Sequence, residues 1–140
     1  NPAHGALSRE QALAQGRLCL VAEDDPLSRK ALTHKLALLG VMVDVVSNGR
    51  EALACWRDTE YGLLITDLHM PEMDGFELAA TIRREEFGGQ HLSIIALSAG
   101  AYDDEQRALE AGVDECVIKP VPSTDFDILL DRWLPPARHL

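Results

Sequence analysis

LCLVAEDDP, residues 18–26, runs a string of apolar side chains into three adjacent carboxylates, Glu23, Asp24 and Asp25, and then a proline. Apolar residues at successive positions, rather than at alternate ones, describe a strand covered on both faces, which is the habit of parallel sheets. Pro26 then suits the first turn of a helix, where its missing N–H costs nothing. The same grammar returns three times: GLLITD (62–67) ends on Asp67, SIIALS (93–98) on Ser98, and ECVIKP (115–120) on Lys119 and Pro120.

Helical segments fill the intervals between these runs. Leu27, Ala31, Leu32, Leu36 and Leu39 repeat at helical spacing over 26–39, and Gly40 ends that helix. Further helices are predicted over 49–57, 75–86, about 103–111, and from a capping Ser123 to about Trp133, with Gly88-Gly89, Gly112 and Pro135-Pro136 as breaks. Strands are predicted over 17–22, 41–46, 63–66, 93–97 and 116–118. Strands alternating with helices in this way make an α/β fold: a five-stranded parallel sheet with helices on both faces. Ser8-Arg9-Glu10-Gln11 reads as a capping box for one further short helix, and residues 1–16 are expected to form a linker or helical tether outside the core. The main domain is expected over 17–134, followed by a tail, 135–140.

Composition narrows the classes of function. At 140 residues the chain suits one core, and a formal net charge of −10 argues against a nucleic-acid-binding surface, which would be basic. Cys19, Cys55 and Cys116 show no metal-binding or redox spacing, so unpaired thiols in a reducing cytoplasm are expected. No stretch approaches about 20 continuous apolar residues, so no membrane contact is expected of this domain.

In an open parallel sheet the carboxyl ends of the strands face one crevice, and ligands bind there. Glu23, Asp24, Asp67, Ser98 and Lys119 would thus converge on one spot, a set that suits a divalent cation and a phosphoryl group. Each has a plainer reading. Acids before Pro26 also complement a helix dipole, Ser98 could cap the next helix, and Lys119 could be an ordinary surface lysine. Asp67 is harder to dismiss, because the next helix begins several residues later and a lone carboxylate at a strand end suits a ligand or nucleophile. Lys119 precedes a proline and is therefore held extended, and the Lys119-Pro120 bond is a candidate for the cis form.

VAEDDP, LLITDLHMPEMDGFEL, IIALSAGA and CVIKPV, in this order, resemble the receiver domain of two-component signalling, over roughly residues 17–134. The resemblance implies a flavodoxin-like sheet of strand order 2-1-3-4-5. It implies Asp67 as phosphoacceptor, Glu23 and Asp24 as the acidic pair that helps hold Mg²⁺, and the main-chain carbonyl of His69 as a further ligand. Ser98 matches the switch hydroxyl and Lys119 the lysine of the family, with Asp25 an extra acid and Ala99 leaving room for the phosphoryl group. Cys116 stands where many receivers carry an aromatic residue that follows the hydroxyl on activation, so that relay is not expected in its usual form.

The implied partner is a histidine kinase or a histidine phosphotransfer domain. HMPEMDGFEL and IIALSAGA, together with the irregular start, resemble receivers within hybrid sensor histidine kinases, whose parent would be anchored in the inner membrane. The alternative is a stand-alone response regulator acting by protein docking. A Mg²⁺-dependent phosphatase would carry a second acid two residues beyond its nucleophile, where this chain has His69. A docking module that is never phosphorylated would be expected to have lost an acid or the lysine.

Overall fold

The structure, a computed structural model, describes residues 7–138, so residues 1–6 of the expected linker and 139–140 of the tail lie outside the described residues. Five strands, β1 (Cys19–Ala22), β2 (Val43–Val46), β3 (Leu63–Asp67), β4 (Ser93–Ser98) and β5 (Glu115–Ile118), form one parallel sheet in the order β2-β1-β3-β4-β5. The helices are α1 (Arg9–Ala14), α2 (Pro26–Leu38), α3 (Gly49–Asp58), α4 (Gly75–Glu85), α5 (Asp104–Ala111) and α6 (Ser123–Trp133).

Because side chains alternate across a strand, each buried strand feeds two cores. Leu20, Leu64, Ile94 and Ala96 pack with Ala52 and Leu53 of α3, Leu78 and Ile82 of α4 and Ala108 of α5. Cys19, Val21, Leu63, Ile65, Ile95 and Leu97 pack instead with Leu32 and Leu36 of α2 and with Phe126, Leu129 and Leu130 of α6. The pairing register aligns Ala22 with Thr66, Asp67 with Leu97 and Ser98 with Ile118, so the four punctuated strands end along one edge.

Two local expectations need correction. Ser8 and Gln11 do form the capping box, at 3.1 and 2.9 Å, but α1 is part of the core rather than outside it. Leu7 and Ala12 are buried in the first cluster, Arg9 grips Asp44 of β2 at 2.7 Å, and Tyr61 donates to the same carboxylate at 2.7 Å. A helix of 6 residues is too short to display the apolar spacing that would reveal this. Ser123 does not cap α6 either: Pro122 occupies that place in extended backbone, its carbonyl accepts from Phe126 N–H at 3.1 Å, and Ser123 is already helical.

Arg83 ties α4 to the turn before β5. Its guanidinium donates to Gly112 O at 2.9 Å, Glu86 at 3.0 Å and Asp114 at 3.0 Å, while Asp114 accepts from Ile94 N–H at 2.8 Å. Without it Glu86, with its side chain only 7% exposed, would keep the Leu92 N–H at 2.6 Å but lose its counter-charge. Arg83→Ala is therefore expected to cost about 3 kcal/mol in a urea melt; a loss below about 0.5 kcal/mol would show the knot to be ornamental.

Candidate functional site

The edge where β1, β3 and β5 end gathers the carboxylates of Glu23, Asp24 and Asp67 and the Lys119 ammonium. Asp67 is the last residue of β3, and its carboxylate accepts from Leu68 N–H at 2.8 Å and from Lys119 Nζ at 3.2 Å. Lys119 follows β5 and also donates to Glu23 at 3.3 Å. The Lys119–Pro120 peptide is cis. Glu23, next after β1, is 1% exposed and also accepts from Asp25 N–H at 3.2 Å. Carboxylate oxygens of Glu23, Asp24 and Asp67 all lie within 4.8 Å of one another.

The run of acids at 23–25 divides its labour. Asp25 turns away to cap α2, accepting from Ser28 N–H at 2.8 Å, and that amide holds its carboxyl below the ordinary aspartate value. Glu23 and Asp24 stay in the cleft. The helix-cap reading of the run thus holds for Asp25, while Glu23 and Asp24 are left with Asp67 as a group that could hold a cation.

Electrostatics in the cleft are strained in one direction. Burial pushes the Glu23 carboxyl above its ordinary range, the Asp67 charge adds to the rise, and the Asp25 amide and Lys119 only partly offset it. Burial pulls the Lys119 ammonium down, yet Asp67 and Glu23 outweigh it, so its pKa lies above the usual lysine value. A carboxyl raised on folding binds its proton more tightly in the native state, so stability falls as pH rises through the folded pKa and is recovered below the ordinary glutamate value. The metal-free chain is expected to lose stability from this group on passing upward through that window. Millimolar Mg²⁺ should flatten the slope, which a Glu23→Gln variant lacks. Thermal melts across pH with and without the cation measure it; an identical slope in Glu23→Gln would remove Glu23 from the account.

The donor set fits a hard dication. Mg²⁺ takes oxygen ligands and is held through one or two carboxylates with water and phosphate oxygens. Three converging carboxylates, those of Glu23 and Asp67 buried and that of Asp24 exposed, present that chemistry.

Ser98 and His69 are placed differently from these acids. The Ser98 hydroxyl is 2% exposed, donates to Asp104 at 3.1 Å and accepts from Gly100 N–H at 2.9 Å. Gly100 has φ +92°, a conformation that favours glycine and shapes this turn. The His69 imidazole points to Asp104 as well, with Nε2 at 3.2 Å, and its ring meets the edge of Phe76 at 5.6 Å. Cys116 is half-buried and burial pushes its thiol up to about 11, in keeping with a small, inert hydrophobe.

Two contributors do not stand out in the sequence. Asp104, 2% exposed, looks there like one more acid in the first turn of a helix, and nothing in its spacing sets it apart. Gly75 opens α4 against β3, where a Cβ would strike the Asp67 carbonyl oxygen. Its position just after MPEMD is the signal that could have found it.

Comparison with known proteins agrees with this geometry. The family model described as response regulator receiver domain matches residues 19–131. The chain is 33% identical over 124 residues to the sensor histidine kinase RcsC of Escherichia coli K12, covering 86% of this chain but only 13% of that protein. It is 40% identical over 124 residues to a 14.6 kDa protein of Leptolyngbya boryana, covering 88% of this chain and 93% of that one. Among solved structures, the receiver domain of sensor histidine kinase PA1611 from Pseudomonas aeruginosa, with magnesium coordinated in its active-site cleft, superposes with a TM-score of 0.77 at 29% identity, over 84% of this chain and 97% of that one. The receiver of Ssk1, solved with the histidine phosphotransfer protein Ypd1 of Saccharomyces cerevisiae, gives 0.74 at 25% identity, over 83% and 87% of the two chains.

Proposed function

This chain belongs to the response regulator receiver domain family of two-component signalling, and we propose that it accepts a phosphoryl group from a phosphohistidine onto Asp67 within a phosphorelay. Glu23, Asp24, Asp67 and the main-chain carbonyl of His69 would hold Mg²⁺. The cation, when bound, supplies charge neutralisation between an anionic nucleophile and an anionic phosphoryl group.

The chain's own residues do the rest. A carboxylate oxygen of Asp67 forms the new P–O bond as the P–N bond of the donor breaks, and the electron pair of that bond returns to the imidazole nitrogen. Lys119, already 3.2 Å from Asp67, is placed to neutralise a second phosphoryl oxygen. Ser98 then donates to the bound phosphoryl group, which shifts an existing two-state equilibrium. Hydrolysis of the acyl phosphate resets the switch. The observation that carries this reading is the convergence of three carboxylates within 4.8 Å and one ammonium at 3.2 Å from Asp67.

The partner is a histidine kinase or histidine phosphotransfer domain. A groove of about 740 Å³ on α2 and β2, lined by Pro26, Leu27, Ala31, His34, Ala37 and Val45, supports docking of such a partner, and Leu27 stands 78% exposed on it. α2 begins directly after the acidic run, which sets this apolar surface beside the phosphoacceptor cleft. The likeness to RcsC supports a hybrid sensor kinase as the parent, its receiver in the cytoplasm and the kinase anchored in the inner membrane. The likeness to the 14.6 kDa protein along nearly its full length supports the second reading, a stand-alone regulator. Among the described residues no helix is long and apolar enough to cross a membrane.

Incubation with Mg²⁺ and acetyl phosphate, read by intact mass, tests the proposal. A switch gains one labile phosphate. Repeated release of inorganic phosphate would mark a phosphatase, and no gain at all would mark a docking module.

A further inference from the structure

We propose that Asp104 is a positioning residue that latches the Ser98 hydroxyl in the unphosphorylated state and so sets how readily the switch closes on a phosphoryl group. The inference rests on Asp67 being the phosphoacceptor. A serine hydroxyl has one proton to donate, and here that proton is committed: Ser98 Oγ donates to Asp104 at 3.1 Å while accepting from Gly100 N–H at 2.9 Å. The Asp67 carboxylate takes its bonds from Leu68 N–H and Lys119 instead. Ser98 therefore cannot serve a phosphoryl oxygen on Asp67 until it has left Asp104.

The latch is strong because the acceptor is charged and buried. Asp104 is 2% exposed, and a bond to a charged acceptor is stronger than one between neutral groups. Release is nonetheless practicable. His69 Nε2 lies 3.3 and 3.2 Å from the two Asp104 oxygens, so the carboxylate keeps a partner after Ser98 departs. His69 sits two residues beyond Asp67, its ring packed on Phe76 at 5.6 Å, and Arg107 of α5 stacks on the Phe76 ring at 4.1 Å. Asp104 thereby joins the loop after β3, the end of β4 and the start of α5, the segments that must move together when the hydroxyl turns.

Population arithmetic gives the expected effect. A ligand that needs the released hydroxyl binds with an apparent dissociation constant equal to the intrinsic one divided by the fraction of molecules already released. Loss of one bond to a charged acceptor should raise that fraction on the order of tenfold.

The test uses beryllofluoride with Mg²⁺ as a phosphoryl mimic, titrated into the chain by tryptophan fluorescence or calorimetry. Asp104→Asn keeps the shape of the side chain and removes its charge, and should tighten beryllofluoride binding about tenfold. Removing a negative charge near the cleft could tighten binding by itself, so the same substitution is made in Ser98→Ala. The latch predicts that the gain vanishes there, whereas a gain of equal size in both backgrounds, or no gain in either, overturns it. A crystal structure of the wild-type beryllofluoride complex covers the case in which Asp104→Asn fails to fold. Ser98 Oγ should lie beyond 3.5 Å from Asp104 with His69 still in contact; a Ser98–Asp104 bond that persists in that complex overturns the latch while leaving the phosphoacceptor reading intact. A wild-type chain that binds no beryllofluoride overturns both.

Discussion

Asp67→Asn is expected to take up no phosphate from acetyl phosphate or from a phosphohistidine donor, with a melting temperature equal to or above that of the wild type. The amide removes the nucleophilic oxygen, so the loss is complete rather than partial. The stability follows from the cleft. Glu23 is buried and its pKa is raised in part by the Asp67 charge, so neutralising position 67 relieves a repulsion. Lys119 keeps Glu23 as a partner at 3.3 Å and is not left alone. Residual uptake in intact-mass spectra would move the acceptor elsewhere, and a melt lowered by more than about 2 kcal/mol would make Asp67 a structural residue.

Lys119→Met separates two roles of the ammonium. Phosphate uptake is expected to slow about 100-fold, the scale seen when one charge-stabilising donor is deleted from an active site. The metal-free chain loses stability at neutral pH, because Asp67 and Glu23 then face each other with no cation between them, and the raised Glu23 carboxyl rises further. By the sign of that shift the deficit shrinks as pH falls toward the ordinary glutamate range. Mg²⁺ should bind more tightly to this variant, since a competing positive charge has gone. Tighter metal binding with slower chemistry is the signature. A variant that is slow and also binds Mg²⁺ weakly would mean that Lys119 shapes the cleft rather than acting in it.

Most of the cleft is legible in the amino-acid order itself. Unbroken apolar runs such as LLIT cannot be half-exposed strands, and the side chains that end them must meet at one edge once the sheet is parallel. Asp67, Glu23, Asp24 and Lys119 therefore announce themselves. Ser98 is legible as a hydroxyl at the right strand end, but its partner is not. Asp104 lies in a stretch where Asp103, Asp104 and Glu105 look alike, and only tertiary packing decides that Asp104 is buried while Glu105 is exposed. The place of α1 in the core is hidden for a related reason: Leu7 and Ala12 are covered by residues distant in sequence, and Arg9 is fixed by Asp44, whose carboxylate also accepts from Tyr61. Asp25 is told apart from its two acidic neighbours only by Pro26, which opens the helix and leaves the residue before it as the cap.

Reductive trapping locates the reaction in a single experiment. The chain is phosphorylated with Mg²⁺ and a phosphohistidine donor and treated with borohydride, which converts an aspartyl phosphate to homoserine, and its peptides are then sequenced by mass spectrometry. Homoserine at position 67, dependent on Mg²⁺ and absent without the donor, is the predicted outcome. Homoserine at position 24 or elsewhere, or an unmodified position 67 in a chain that has demonstrably taken up phosphate, would contradict it.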